Sequence, residues 1–243
     1  MKNTRISKTS IFVAVQDGFD YAVMMKHASL ITGIPGIGKT TALEEIAQLN
    51  PKATIIRVAA TKITLRASLN LIADAMRLAT HSMTADGIWD VLESSFSHPQ
   101  NDDILIFDEA QNLPLAVLKE MVSLPERFQI PVIVCGNGEL LKRRRVSTAA
   151  FDQIESRIAK RVILAAPTRE DFEMIAVDFD AFGKDAHAAC VAYGCNTSMR
   201  DLVAMLEAAR GYADQGPLRL QEIRHAVVLK NGASALKLLS RAA

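Results

Sequence analysis

Aromatic residues are scarce: Phe, Trp and Tyr make up 5% of the 243 residues. That argues against a surface that binds unpaired nucleic acid by stacking successive bases on rings. Cysteine is almost missing as well. Cys135, Cys190 and Cys195 form no CxxC pair, which removes a thiolate zinc site and a disulfide framework and fits reduced thiols in a cytoplasmic protein. No apolar stretch reaches the ~18 residues that a membrane span requires. The basic start, Met1 to Arg5, runs into Gln16, Asp17 and Asp20 rather than into the apolar region of a signal peptide. Charge of one sign is lacking too: 28 Lys and Arg oppose 27 Asp and Glu, a net charge of +1. Any contact with nucleic acid must therefore come from a local patch. What is plentiful is apolar side chain, 49% of the chain. That suffices for one large core, or for a core domain with a smaller companion.

The hydrophobic pattern alternates between strand and helix. Thr9 to His27 reads as a helix, or a short strand plus helix, and Ala28–Thr32 as a strand. A glycine-rich turn and a helix from Lys39 to Leu49 follow, closed by Asn50-Pro51. Ala53–Ala59 is rich in β-branched residues, and Leu65–Ala79 and Ile88–Phe96 carry helical spacing. Ile104–Phe107, Pro131–Cys135 and Val162–Leu164 are continuous apolar runs, the mark of strands buried on both faces of a parallel sheet. Between them, Pro114–Leu124 reads as a helix. The fold class is therefore α/β. After Pro167 only helical periodicity remains, over Phe172–Phe182, Ala186–Tyr193, Ser198–Ala213 and Leu220–Lys230, with a last short helix over Gly232–Ala243. The expected division is a lead-in segment at 1–27, an α/β core at 28–166 and an α-helical lid at 167–243.

The most specific string is Gly33-Ile34-Pro35-Gly36-Ile37-Gly38-Lys39-Thr40, which fits GxxxxGK[ST] between an apolar strand and a helix. Glycines let the backbone wrap an anion, and the helix beginning near Lys39 turns its positive end toward it. Lys39 is the expected partner of the β- and γ-phosphates, Thr40 of Mg2+, and Thr41 lines the same loop. Ile104-Leu105-Ile106-Phe107-Asp108-Glu109 is an apolar strand ending in two acids. Asp108 suits magnesium binding through its water shell, and Glu109 suits a general base on the attacking water. Asn137 follows the strand ending at Cys135 and is placed to help position that water. Gly136-Asn137-Gly138 is equally a turn-forming string. Arg157, with Arg161 as its competitor, is a candidate finger toward a neighbouring subunit's γ-phosphate, and Arg200 a candidate for folding back onto the phosphates. Each of the three is also readable as a surface arginine paired with an acid.

Taken in order, these elements resemble AAA+ ATPases. Gly33–Thr40 matches Walker A, Asp108-Glu109 Walker B, Asn137 sensor 1, Arg157 the arginine finger and Arg200 sensor 2. The resemblance implies ATP and Mg2+ as cofactors, and an AAA+ P-loop core whose parallel sheet is flanked by helices and followed by a small helical lid. Within that class the loop Thr32–Thr41, the string Asp-Glu-Ala-Gln at Asp108–Gln111, Cys-Gly-Asn-Gly at Cys135–Gly138 and Ser156-Arg157-Ile158 are similar to the transposition-regulator group, the Mu B type. That narrower resemblance implies self-assembly into a nucleotide-dependent ring or helical filament on double-stranded DNA and recruitment of a transposase. The chain starts almost at the core, so DNA binding is expected to rest on the core itself.

Two segments are candidates for DNA contact. One carries Lys62, Thr64 and Arg66; the other is Lys142-Arg143-Arg144-Arg145. Hydroxyls and cations of this kind suit phosphate contact without base reading, although a charge run is as often a solvated face. Three other functions are weaker fits. A secretion-coupled ATPase calls for an anchor or appendage, a replication loader for a winged-helix domain, and a metabolic kinase for an acceptor pocket. The kinase would have no need of Glu109 or the later arginines.

Overall fold

The computed structural model describes residues 8–59, 64–138, 140, 148–213 and 216–240. Helix α1 (Ser10–Met25) leads into strand β1 (Ala28–Thr32), and α2 (Lys39–Leu49) into β2 (Ala53–Arg57). Then come α3 (Leu65–Ala75), α4 (Ala85–Phe96), β3 (Ile104–Asp108), α5 (Leu115–Phe128) and β4 (Val132–Gly136). A helix over Thr148–Arg157 runs directly into β5 (Ile158–Ile163).

The five strands lie in the order β2-β3-β4-β1-β5, and every neighbouring pair is parallel. Parallel strands need crossovers, which the intervening helices supply. The continuous apolar runs fulfil their expectation in β3 and β4, which are buried along their whole length, as is β1. One side of the sheet packs against Leu69 and Ile72 of α3, Ile88, Leu92 and Phe96 of α4, and Met121 and Val122 of α5. The register sets Thr32 beside Gly136 and Arg57 beside Asp108. The carboxyl ends of β1, β3 and β4 therefore reach one edge, where open α/β sheets bind their ligands.

Two expectations need correction. The last strand begins at Ile158, four residues earlier than its apolar stretch, and it is not buried on both faces. It lies at the sheet edge, its residues alternate in burial, and Ile163 is 77% exposed. Helix α5 does not stop at Leu124. It runs through Pro125 to Phe128, because Met121, Val122 and Leu124 are buried against the core and hold the turn that the proline weakens.

The chain divides into two compact units. One holds Ala14–Ile34 and Lys39–Leu164; the other holds the described residues up to Val13, Pro35–Gly38, and the described residues from Ala165 on. The second unit is helical, with helices Arg169–Asp178, Lys184–Asn196, Met199–Arg210 and Leu220–Asn231, and a 3-10 segment Ala233–Leu239 where a short final helix was expected. Thr168 caps the first of these with a reciprocal bond to Asp171.

Asp171 also ties down the start of α1: it accepts from the Ser10 amide at 2.6 Å and from the Ser10 hydroxyl at 2.7 Å. Burial opposes its charge, but the hydrogen bonds from Ser10 and Thr168 outweigh burial and hold its carboxyl below the ordinary range. A carboxylate with a lowered folded-state pKa stabilises the fold above its unfolded pKa of ~3.9, and the benefit disappears as pH falls through the folded value. Asp171→Ala should therefore lower the melting temperature at pH 7, and the gap to wild type should narrow below about pH 4 in thermal scans across pH.

Candidate functional site

The loop after β1 shows why glycine is needed there. Gly36 has φ +81° and Gly38 φ +94°, a region that L side chains rarely adopt. Ile37 between them is buried and Pro35 is exposed. At the loop's end α2 begins at Lys39, whose side chain is buried and whose ammonium donates to the carbonyls of Gly33 and Ile34, each at 2.9 Å. Thr40 follows on the first turn and Thr41 is exposed.

Across the sheet edge, Thr40 Oγ1 donates to Asp108 Oδ2 at 2.7 Å. Asp108 is buried at the end of β3, and its other oxygen accepts from the Glu109 amide at 3.0 Å. Glu109 has φ 55° and ψ 37°, a left-handed conformation uncommon for a side chain larger than glycine. This kink carries Glu109 out of the buried strand and into solvent. The two acids thus differ sharply in setting: Asp108 is enclosed and bonded to Thr40, and Glu109 is open. Cys135, near the end of β4, is a wall of this site. Burial pushes its thiol up, and the Asp108 charge adds to the effect, so it stays protonated and inert.

Asn137 lies one residue past β4, and its amide donates to Gln111 Oε1 at 3.2 Å. The Gly33 amide meets the Gly136 carbonyl at 3.4 Å, which joins the start of the phosphate loop to the end of β4. Gln111 also donates through Nε2 to Glu109 Oε2. In the sequence Gln111 stands out only as the last residue of Asp-Glu-Ala-Gln, and nothing local gives its position between Glu109 and Asn137. The available signal was a long amide two residues beyond a candidate base, at the mouth of a sheet edge.

The arginines are placed less decisively. Arg157 ends its helix and bonds Glu126 at 3.2 Å, and Arg161 lies within β5 and pairs with Glu155 at 3.0 Å. In the helical unit, Ser198 caps the helix that carries Arg200, and Lys230 braces its first turn through Asp201 at 2.9 Å. Those bonds from Lys230 and Ser198 lower the Asp201 pKa. The Arg200 amide donates to the Gly36 carbonyl at 3.1 Å, and a β-carbon on Gly38 would lie 3.2 Å from Met199 Sδ. The start of this helix therefore meets the phosphate loop through backbone.

Of the DNA candidates, Thr64 is the N-cap of α3, its hydroxyl accepting from the Ala67 amide at 3.2 Å, and Arg66 is exposed on the first turn. Lys62 and Lys142-Arg143-Arg144-Arg145 lie outside the described residues. Among the described residues there is no cluster of three or more His, Cys, Asp or Glu able to hold a metal alone, and no helix long and apolar enough to cross a membrane.

A parallel sheet with a phosphate loop after its first strand and an acid pair after its third is the frame of a P-loop ATPase. Residues 24–143 match the AAA domain family, so that stretch of the chain carries an AAA domain. More particularly, it resembles the Mu B type of transposition regulator. It is 24% identical over 174 residues to the ATP-dependent target DNA activator B of Escherichia phage Mu, covering 71% of this chain and 55% of that protein. The chain thus spans about half the length of the curated relatives it matches. Among solved structures its fold is similar to that of Cdc6p from Pyrobaculum aerophilum, with TM-score 0.66 and 15% identity over 89% of this chain and 65% of that one. It is also similar to the Aeropyrum pernix ORC1 protein in complex with DNA, with TM-score 0.67 and 14% identity over 90% of this chain and 64% of that one.

Proposed function

We propose that this protein is an ATP-hydrolysing switch that assembles on double-stranded DNA with little sequence preference and regulates transposition by recruiting a transposase. The observation that carries the nucleotide half is the gathering of Lys39, Thr40, Asp108, Glu109 and the Asn137 amide at one sheet edge. The DNA half rests on the similarity to the phage activator, whose name states that it acts on target DNA in an ATP-dependent way.

Each residue then has a task. Gly33, Gly36 and Gly38 wrap the phosphates, and Lys39 neutralises them. Thr40 and Asp108 fit a hydrated Mg2+ that takes its remaining ligands from phosphate and water, since their oxygens already lie 2.7 Å apart. When bound, the ion would neutralise charge on the phosphates. Glu109 withdraws a proton from the attacking water, and Asn137 helps to orient that water. Arg157 becomes a finger toward a neighbouring subunit once its bond with Glu126 opens, and Arg200 senses the nucleotide from the lid. We retain 28–166 as the catalytic core, 167–243 as the lid and 1–27 as the lead-in. Lys62, Thr64, Arg66 and Lys142 to Arg145 remain the proposed DNA contacts. A replication-loader function is favoured only by the likeness in fold.

Electron microscopy and binding assays with duplex DNA, with and without a non-hydrolysable ATP analogue, test this reading. Nucleotide-dependent rings or filaments on DNA are expected. Affinity should fall steeply with salt, because phosphate contacts release counterions. Absence of DNA binding at ~50–100 mM salt, where such contacts are strongest, would overturn the DNA half and leave the ATPase half standing.

A further inference from the structure

We infer that Gln111 is a positioning residue for ATP hydrolysis, a bridge that holds the Glu109 carboxylate by tying it to the end of β4. The inference rests on the ATPase reading and deepens it. Three observations converge. The Gln111 amide donates to Glu109 Oε2, and its carbonyl accepts from the Asn137 amide at 3.2 Å, so both ends of one side chain are engaged. The backbone at Glu109 is in the left-handed region, φ 55° and ψ 37°, which turns the following 3-10 segment, Ala110–Asn112, back toward the base. Such a conformation is disfavoured for a side chain larger than glycine and persists only where surrounding contacts impose it. Here Asn112 anchors the turn to the Val58 carbonyl at 2.9 Å, and Ala110 is buried beneath it.

The third observation is Gly136. A β-carbon there would lie 2.6 Å from Gln111 Oε1, closer than such contacts occur. Its backbone is ordinary strand, so conformational freedom is not what glycine supplies. The missing side chain instead leaves room for the Gln111 carbonyl to reach the Asn137 amide. The bridge therefore links the end of β3 to the end of β4, and through the Gly33–Gly136 bond to the start of the phosphate loop. An exposed glutamate on a free rotamer would sample many positions; one held at Oε2 keeps its second oxygen, Oε1, directed for proton removal.

The test uses the full chain. Steady-state ATP turnover, affinity for a fluorescent ATP analogue and melting temperature are measured for wild type, Gln111→Ala, Gln111→Glu, Gly136→Ala and the Gln111→Ala/Gly136→Ala double variant. Gln111→Ala should lower kcat roughly 10- to 100-fold, the scale of a misplaced catalytic group, with KM and analogue affinity within about twofold. Gln111→Glu keeps the shape and an acceptor for the Asn137 amide, but it loses the donor and sets a second acid beside Glu109. It should be slower than Gln111→Ala although it is the closer isostere. Gly136→Ala should approach Gln111→Ala, and the double variant should add little, as expected of groups in one unit. If Gln111→Glu recovers turnover relative to Gln111→Ala, the residue is merely structural and the inference is wrong. Unchanged or raised kcat in Gln111→Ala also overturns it, as does an equal loss in kcat and analogue affinity. A wild-type chain without turnover removes the ATPase reading and this inference together. Wild-type turnover with an indifferent Gln111→Ala removes this inference alone.

Discussion

Glu109→Gln is expected to bind ATP as wild type does and to lose turnover by roughly 10²- to 10⁴-fold, the usual contribution of a general base. The two acids at the end of β3 are not equivalent, and the difference in burial assigns the roles. Asp108 is enclosed and holds the Thr40 hydroxyl, so replacing it would disturb the proposed ion site and the start of α2 together. Glu109 is exposed and contacts neither Lys39 nor Thr40 through any hydrogen bond among the described residues. A glutamine there keeps an oxygen that can accept from Gln111, so the left-handed turn should survive. What it lacks is basicity. Phosphate release and analogue binding measured on the same preparation separate the two effects. Normal turnover in this variant means that another group activates the water.

This asymmetry could be read only partly from the sequence. Continuous apolar runs mark β3 and β4 because a strand buried on both faces has no polar side to show, and both are buried throughout. The glycines of the phosphate loop are equally plain, since their positive φ values leave little alternative at Gly36 and Gly38. The edge strand is harder. Its first residues, Ile158-Ala159-Lys160-Arg161, place two cations in mid-strand and so interrupt the apolar run, and only the apolar residues at its end carry the signal for a buried strand. The continuation of α5 through Pro125 is also hidden, because core packing overrides a local rule.

The site shows the same limit. Residues placed by the backbone loop or a strand end follow from local spacing: Lys39 closes on its own loop, Thr40 meets Asp108, and Glu109 follows at the strand end. Partners set by tertiary structure do not. The bond of Arg157 to Glu126 spans 31 positions and that of Gln111 to the Asn137 amide spans 26, and no periodicity connects either pair. That is why Arg157 and Arg161 could not be separated in advance. Each has an acid nearby in space, and an exposed ion pair of this kind is worth about 0–1 kcal/mol, too little to keep either arginine from a stronger partner such as a phosphate.

Lys39→Ala should be the more damaging change, because it acts before hydrolysis. The Lys39 ammonium is buried and donates to two carbonyls of the loop it closes. Hydrogen bonds to a charged group contribute about 1.5–3 kcal/mol each, so losing the ammonium's contacts to phosphate should cut nucleotide affinity by ~100-fold or more. ATP should then fail to raise the melting temperature of the variant, whereas saturating a wild-type site at 100 times its Kd stabilises the fold by about 2.7 kcal/mol. Some loss of stability is expected without nucleotide, because the carbonyls of Gly33 and Ile34 lose a donor. Assembly on DNA distinguishes the two variants. If nucleotide binding drives assembly, Lys39→Ala remains dispersed at ATP concentrations that assemble the wild type. Glu109→Gln instead assembles and stays assembled, because it holds ATP without consuming it. Equal assembly by wild type and Lys39→Ala would uncouple the phosphate loop from DNA, and the ATP site would then have to serve a step other than assembly.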